Sequence, residues 1–197
     1  MKKPVTLYIL LLALSIGVLF LLNLFLGSVD IPFRSIWNIL WGMDEGESVI
    51  WQNIIWKSRV PQALTAMVAG AGLAVSGLQM QTVFRNPLAG PSVLGISSGA
   101  SLGVAFVVLL SGSIGGIALS RLGFMGEIAL TMAAIIGALS IMALIVYVSQ
   151  KVHGNVTLLI IGVMIGYVAN AVIGVLKFFS VEEDIRAYVI WGLGSFA

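Results

Sequence analysis

Long runs of apolar residues without charge dominate the hydropathy pattern of this chain. A helix needs roughly 20 apolar residues to cross a hydrocarbon core about 30 Å thick. Five runs reach that length, and they predict membrane-spanning helices at about residues 7–27, 62–84, 92–112, 128–149 and 156–176. The pattern therefore predicts an all-α fold, a polytopic membrane helical bundle that forms a single membrane domain over residues 1–197.

Two segments outside these runs have the pattern of interfacial helices. In the first, about residues 33–41, five apolar residues recur at helical spacing: Phe33, Ile36, Trp37, Leu40 and Trp41. The second, about residues 181–191, opens with acidic residues, and Ser180 and Glu183 have the spacing of a capping box. Both segments either finish loops or form an outer rim that receives a partner, and the pattern leaves both interpretations open.

Composition places the chain among membrane proteins. It is 59% hydrophobic and 9% charged, with a mean hydropathy of +1.10. Soluble domains carry about 25% charged residues. The chain therefore lacks the polar surface of a soluble domain, and the lipid bilayer is its expected surrounding. Because it contains no cysteine, disulfides are excluded.

The distribution of basic residues favours a cytoplasmic N-terminus. In that orientation the inside segments would be residues 1–6, 85–91 and 150–156, which contain Lys2, Lys3, Arg85 and Lys151. All eight carboxylates would then lie outside. The positive-inside rule counts Lys and Arg in short loops. Their density in the short inside loops predicts a multi-pass protein with its N-terminus in the cytoplasm.

Small residues recur at every fourth position in two of the predicted spans. They are Gly95, Gly99 and Gly103 in the third span, and Gly162, Gly166, Asn170 and Gly174 in the fifth. Positions four apart share one helix face, and small faces let helices approach closely in lipid. Helix packing is therefore the expected role of the third-span glycines. Since a polar amide at membrane depth faces a partner helix or a watery cavity, packing and pathway lining both remain open for the face that carries Asn170.

The segment RNPLAGPSVLGISSGASLG, residues 85–103, interrupts the apolar pattern. Its first residues, Arg85, Asn86 and Pro87, predict a turn, because Asn tolerates turn geometry and proline biases the preceding residue away from a helix. Pro91 suits the first turn of a helix. We therefore expect a tight turn on the inside that leads into a third span starting at Pro91.

One catalytic pattern lies in the same segment. GISSG, residues 95–99, matches the nucleophile pattern G-x-S-x-G, which requires a preceding strand and a triad partner. The alternative function is thus an intramembrane serine hydrolase that uses Ser97 or Ser98 with His153, the single histidine. With no cysteine, one histidine and no carboxylate within a span, no metal site is predicted. We predict no catalytic residue and no cofactor.

The residues from Ser58 to Gly103 resemble permeases of the FecCD type, the membrane subunits of ATP-driven bacterial importers for iron-siderophores, haem and cobalamin. The resemblance rests on an Arg-x-Pro entry to the second span, a Gly/Ala-rich helix, a Leu-Gln turn, NPLA-x-P and then LG-[IV]-S-x-GA. LLIIGVMIGYVANAV and VIWGLGSF resemble later family segments, so the likeness extends from about Gly27 to the end.

The resemblance implies a transport subunit of the bacterial inner membrane rather than an enzyme. Family members have ten spans in two halves, and a chain of 197 residues would be the N-terminal half. The implied partners are a second permease copy (homodimer or heterodimer), ATP-binding subunits that hydrolyse ATP, and a periplasmic substrate-binding protein, with no nucleic acid. A chain this short is expected not to transport on its own.

The resemblance also implies roles for individual residues. Lys57 and Arg59 would contact acidic residues of the binding protein, although Gln62 stands where the family often has a second arginine. The translocation pathway would be lined by Gly162, Gly166 and Asn170. The cytoplasmic gate loop would contain Asn155 and Val156. The Gly-rich third helix would pack beside that pathway.

Overall fold

The computed structural model describes residues 5–43, 46, 48–87, 89–114, 124–152 and 154–194. Its helices are α1 (Val5–Phe25), α2 (Phe33–Leu40), α3 (Val49–Ile54), α4 (Val60–Phe84), α5 (Ile96–Ile114), α6 (Phe124–Ser149), α7 (Asn155–Phe179) and α8 (Glu182–Leu193). A π-helical turn, Ile55–Arg59, joins α3 to α4. The described residues contain no strand, and the predicted all-α class is confirmed.

Among the described residues, four helical stretches are long and apolar enough to cross a membrane: Val5–Phe25, Val49–Phe84, Phe124–Ser149 and Asn155–Phe179. Helix α5 begins later than the sequence predicts. Pro91 lies in a turn over residues 91–94, and Gly95, with φ of +73°, separates that turn from the helix. The expectation that Pro91 opens the third span is therefore wrong, since a left-handed glycine interrupts the helical path four residues later.

The described chain groups into two compact units, and the boundary between Gly72 and Leu73 falls within α4. In the first unit, the core is formed by Ile31, Ile36, Ile39 and Ile55. In the second unit, α5 contributes most of the core around Val104, Ala105, Val108 and Leu109, with Ala133, Ile173 and Tyr188 from α6, α7 and α8. The single membrane domain expected over residues 1–197 stays a prediction.

Helices α5 and α6 touch through their backbones. A Cβ atom added at Gly99 would lie 2.7 Å from the carbonyl oxygen of Gly137, and one added at Gly103 would overlap the carbonyl of Ala133. Real Cβ atoms do not approach other atoms so closely. Small residues on both helices thus permit a close approach of the two backbones. In lipid, where hydrophobic burial does not drive association, the packing contacts made at such short distances hold helices together.

The predicted apolar face of α2 is divided between two surroundings. Ile36 and Ile39 are buried in the core of the first unit, whereas Phe33, Trp37 and Trp41 are exposed. The aliphatic side of α2 is therefore used for packing and its aromatic side is exposed, and the position of the helix at the membrane interface stays a prediction.

The predicted capping box of α8 is wrong. The N-cap residue is Val181, and no side chain caps the helix. The Ser180 hydroxyl instead lies 2.6 Å from the carbonyl oxygen of Leu176 and 3.1 Å from that of Leu109, so it ties the end of α7 to α5. In the first turn of α8, burial and then the neighbouring Glu183 raise the pKa of Asp184 above its ordinary value of 3.8.

Candidate functional site

A small groove of about 200 Å³ lies between the turn that precedes α5 and the middle of α7. It is lined by Ser92, Val93, Gly95, Ser98, Val163, Gly166, Tyr167 and Asn170. Half of these residues carry a hydroxyl or an amide, and none carries a charge. The groove thus brings together uncharged hydrogen-bonding groups from the turn, from α5 and from α7.

The edge of the groove is set by a contact between two backbones. A Cβ atom at Gly95 would lie 2.9 Å from the carbonyl oxygen of Gly162 and 3.0 Å from the amide nitrogen of Gly166. A Cβ atom at Gly162 would lie 2.9 Å from the Cα atom of Leu94. Because Gly95 also has a positive φ, no other residue fits both its conformation and its contact without strain.

The three residues predicted to line a pathway have different surroundings. Gly162 is buried under the turn and does not line the groove, whereas Gly166 and Asn170 do. The nearest atom to a Cβ at Gly166 would be the Ser98 Oγ at 3.4 Å, which is an ordinary contact. Gly162 and Gly166 are both buried and both contact the turn through their backbones, whereas Asn170 is exposed. Packing thus accounts for the two glycines, and the pathway role of the three residues stays a prediction.

Sequence reasoning missed three polar residues of the groove: Ser92, Ser98 as a groove residue, and Tyr167. Tyr167 lies three residues before Asn170, so helical spacing was a signal that could have found it. Ser92 carries no such signal, because its place depends on how the turn folds against α7.

The predicted cytoplasmic turn and the predicted gate loop lie together in the second unit. The side-chain amide of Asn155, at the start of α7, donates a hydrogen bond to the carbonyl oxygen of Val83 at 3.0 Å. Within the turn, the Gln81 amide donates to the carbonyl oxygen of Pro87 at 3.2 Å. Arg85 is the one non-glycine residue with positive φ in the described part of the chain, at +48°. This left-handed residue reverses the chain where α4 ends.

A small apolar cluster anchors this turn. Phe84, Ala89, Leu94 and Ile145 are buried together, so the segment between α4 and α5 is held against α6. Leu94 also packs on Gly162 of α7. The same cluster therefore fixes the position along α7 at which the turn makes its contact. Val156, the second residue of the predicted gate loop, is exposed.

Lys57 and Arg59 lie in the π-helical turn and have opposite surroundings. Arg59 is only 4% exposed, and its Nη1 donates to the carbonyl oxygen of Leu24 at 2.7 Å. Its Nη2 donates to the carbonyl oxygen of Val29. These carbonyls lie at and beyond the end of α1, where backbone acceptors have no helical partner. The Arg59 guanidinium is thus occupied by backbone carbonyls of its own chain, whereas Lys57 is exposed, and the docking role of both residues stays a prediction.

The serine hydrolase hypothesis gains no support from the described residues. Ser97 is exposed, Ser98 is half-buried in the groove, and His153 lies outside the described residues. The segment before GISSG is a turn, whereas a nucleophile elbow requires a strand.

These features define a polytopic α-helical membrane protein with a groove that carries uncharged polar groups. The chain belongs to the FecCD transport family, which it matches over residues 12–197. The FecCD-type resemblance of the sequence is thereby confirmed.

Individual relatives agree with this assignment. The chain is 37% identical over 171 residues to the hemin transport system permease protein HmuU of Yersinia pestis, a match that covers 86% of this chain and 47% of that protein. It is 35% identical over 164 residues to the vitamin B12 import system permease protein BtuC of Pectobacterium atrosepticum, covering 83% of this chain and 45% of that protein.

A solved structure also matches. An inward-facing metal-chelate type ABC transporter has a TM-score of 0.71 and 28% sequence identity, and the match covers 99% of this chain and 55% of that one. The chain thus spans about half the length of the relatives and of the structure that it matches.

Proposed function

We propose that this chain is a permease subunit of an ATP-driven importer that carries an iron chelate (siderophore), haem or cobalamin across the bacterial inner membrane. The observation that carries the proposal is the groove at Asn170, where uncharged polar groups of the turn before α5, of α5 and of α7 meet. Family membership and the names of the hemin and vitamin B12 permeases support the class of cargo.

The size of the groove indicates how it acts. Pockets that enclose a drug-sized ligand measure about 300–1,000 Å³, and this groove measures about 200 Å³. We therefore assign it to one wall of a passage, and a second permease copy, identical or different, supplies the facing wall. Hydroxyl and amide groups suit this role, because a passage must bind its cargo weakly enough to release it.

The remaining partners follow from the same proposal. Separate ATP-binding subunits hydrolyse ATP on the cytoplasmic side, where the N-terminus also lies. A periplasmic substrate-binding protein docks on the opposite side, and the exposed ammonium group of Lys57 is the charge that steers it. Arg59 has no docking role in this proposal, since its guanidinium is occupied by backbone carbonyls.

The proposed cytoplasmic gate comprises Asn155 and Val156 together with the turn at Arg85, Asn86 and Pro87. The hydrogen bond from the Asn155 amide to the Val83 carbonyl joins the proposed gate loop to the end of α4. A bond of this kind contributes about 0.5–1.5 kcal/mol, so opening the gate at this point requires little free energy.

Uptake by cells tests the proposal. The importer, with its ATP-binding subunits and its periplasmic substrate-binding protein, is expressed in a strain that lacks its own permeases, and uptake of labelled cobalamin, haem and a ferric siderophore is measured. We expect uptake of one cargo, and we expect Asn170→Leu to reduce it about two- to tenfold because one hydrogen-bonding group is lost. Val168→Leu, on the opposite face of α7, is the matched control and leaves uptake unchanged. Failure to take up any of the three cargoes overturns the assignment.

A further inference from the structure

Helix α2 exposes a continuous row of aromatic rings. Phe33 is 64% exposed, Trp37 48% and Trp41 64%. Phe33 stacks on Trp37 with a centroid distance of 6.4 Å, and the tilted rings of Trp37 and Trp41 lie 5.8 Å apart. Large apolar groups exposed in a contiguous row indicate a surface that is covered in the working molecule.

The orientation of this row is fixed by the other side of the helix. Ser35, Ile36 and Ile39 are buried, and the two isoleucines pack against Ile31 and Ile55. The helix therefore cannot rotate to hide its rings without exposing the core of the first unit.

The row continues the surface of a membrane-spanning helix. Phe25, in the last turn of α1, stacks on Phe33 with a centroid distance of 4.6 Å. No residue in the apolar window of α1 is buried, so this helix presents apolar side chains on all sides. The aromatic row thus begins where an exposed membrane-spanning surface ends.

One cation accompanies the rings. Arg34 is exposed, and helical periodicity places it on the same arc as the rings, one turn before Trp37. Arginine and lysine beside tryptophan are typical of the level of lipid headgroups, where rings meet the acyl boundary and cations reach phosphate.

We infer that the exposed arc of α2, defined by Phe33, Arg34, Trp37 and Trp41, is a phospholipid-binding surface in the membrane interface at the end of α1. The rings insert at the boundary between headgroups and acyl chains, and the Arg34 guanidinium contacts lipid phosphate. The inference requires only that α1 spans the membrane, and it does not depend on the cargo. A protein partner is the competing occupant, and the experiment separates the two.

Fluorescence quenching in nanodiscs tests the inference. Variants of the chain retain one tryptophan, Trp37, Trp41 or Trp51, with the others changed to phenylalanine. Trp51 is the matched control because it packs half-buried against the core of the same unit. With acyl-brominated phosphatidylcholine, we expect Trp37 and Trp41 to be quenched more strongly than Trp51, and most strongly when the bromine lies near the headgroup.

Each other pattern overturns the inference. Strong quenching of Trp37 and Trp41 by acrylamide, with none by brominated lipid, places the rings in water. Protection from both quenchers assigns the row to a protein partner. If the tryptophan replacements unfold the chain, Trp41→Cys in the otherwise native sequence, which has no cysteine, accepts a polarity-sensitive fluorophore. Blue-shifted emission is then expected, and water-like emission contradicts the inference.

Discussion

Gly95 and Gly162 determine how closely the turn before α5 approaches α7. Their contact joins backbone to backbone, so neither side can yield as a flexible side chain does. Gly174, in the same helix as Gly162, has no neighbouring atom within 4 Å of an added Cβ. Helical spacing places Gly162 and Gly174 in one series of small residues. A close contact requires glycine only at position 162.

The pair provides a matched test of this contact. Gly162→Ala is expected to lower the free energy of unfolding by about 1–3 kcal/mol, the usual cost of overpacking a close contact. Gly174→Ala is expected to be neutral or to stabilise α7 by roughly 0.5–1 kcal/mol, since alanine favours a helix over glycine. Thermal unfolding in detergent measures both. Equal melting temperatures for the two variants would show that the turn does not pack on Gly162.

At the scale of elements, the π-helical turn Ile55–Arg59 gives two neighbouring cations different roles. It turns Arg59 toward the open end of α1 and leaves Lys57 exposed. Gly27 leaves room for the guanidinium, because a Cβ atom there would lie 2.6 Å from the Arg59 Nη2. Helix insertions of this type are frequent at functional sites. Here the insertion holds Arg59 against the end of α1, while Lys57 in the same turn stays exposed.

Replacing each cation by methionine separates the two roles. Arg59→Met is expected to lower the free energy of unfolding by about 1–3 kcal/mol, since buried carbonyls lose their donor. Lys57→Met is expected to leave the melting temperature unchanged and to slow association with the binding protein, with a larger effect at low salt. Thermal unfolding and binding kinetics measure the two effects.

The converse result would contradict this division. If Arg59→Met melts like the parent chain and slows association, the guanidinium is a docking group rather than a brace for α1. Lys57→Gln, which removes the charge but keeps polarity, controls for the apolar character of methionine at an exposed position.

At the scale of the whole molecule, the sequence predicts what depends on local pattern and misses what depends on distant contacts. The long apolar runs predict the long helices, because a helix that crosses a bilayer needs a sufficient number of consecutive apolar residues, and the sequence shows these directly. The late start of α5 and the burial of Arg59 were missed. The partners of Arg59 lie about 30 residues or more away in sequence, and they are backbone carbonyls, which leave no side-chain pattern.

The candidate site shows the same limit. Periodicity places Gly162, Gly166 and Asn170 on one face of α7, but it does not indicate which of them lies beneath a neighbouring turn. The resemblance to FecCD-type permeases supplied the class of function, whereas the groove residue Ser92 emerges only from the folded chain.

The central claim is that the groove at Asn170 forms part of a water-filled passage, and cysteine accessibility tests it most directly. The chain has no cysteine, so a single introduced thiol gives no background. In the assembled importer, we predict that Asn170→Cys and Ser98→Cys react with a charged, water-soluble thiol reagent and that cargo slows both reactions. Val168→Cys, at an exposed apolar position on the opposite face of α7, is predicted to stay unreactive. Labelling of Val168→Cys as fast as Asn170→Cys, or no labelling at Asn170 in any state of the importer, would contradict the account.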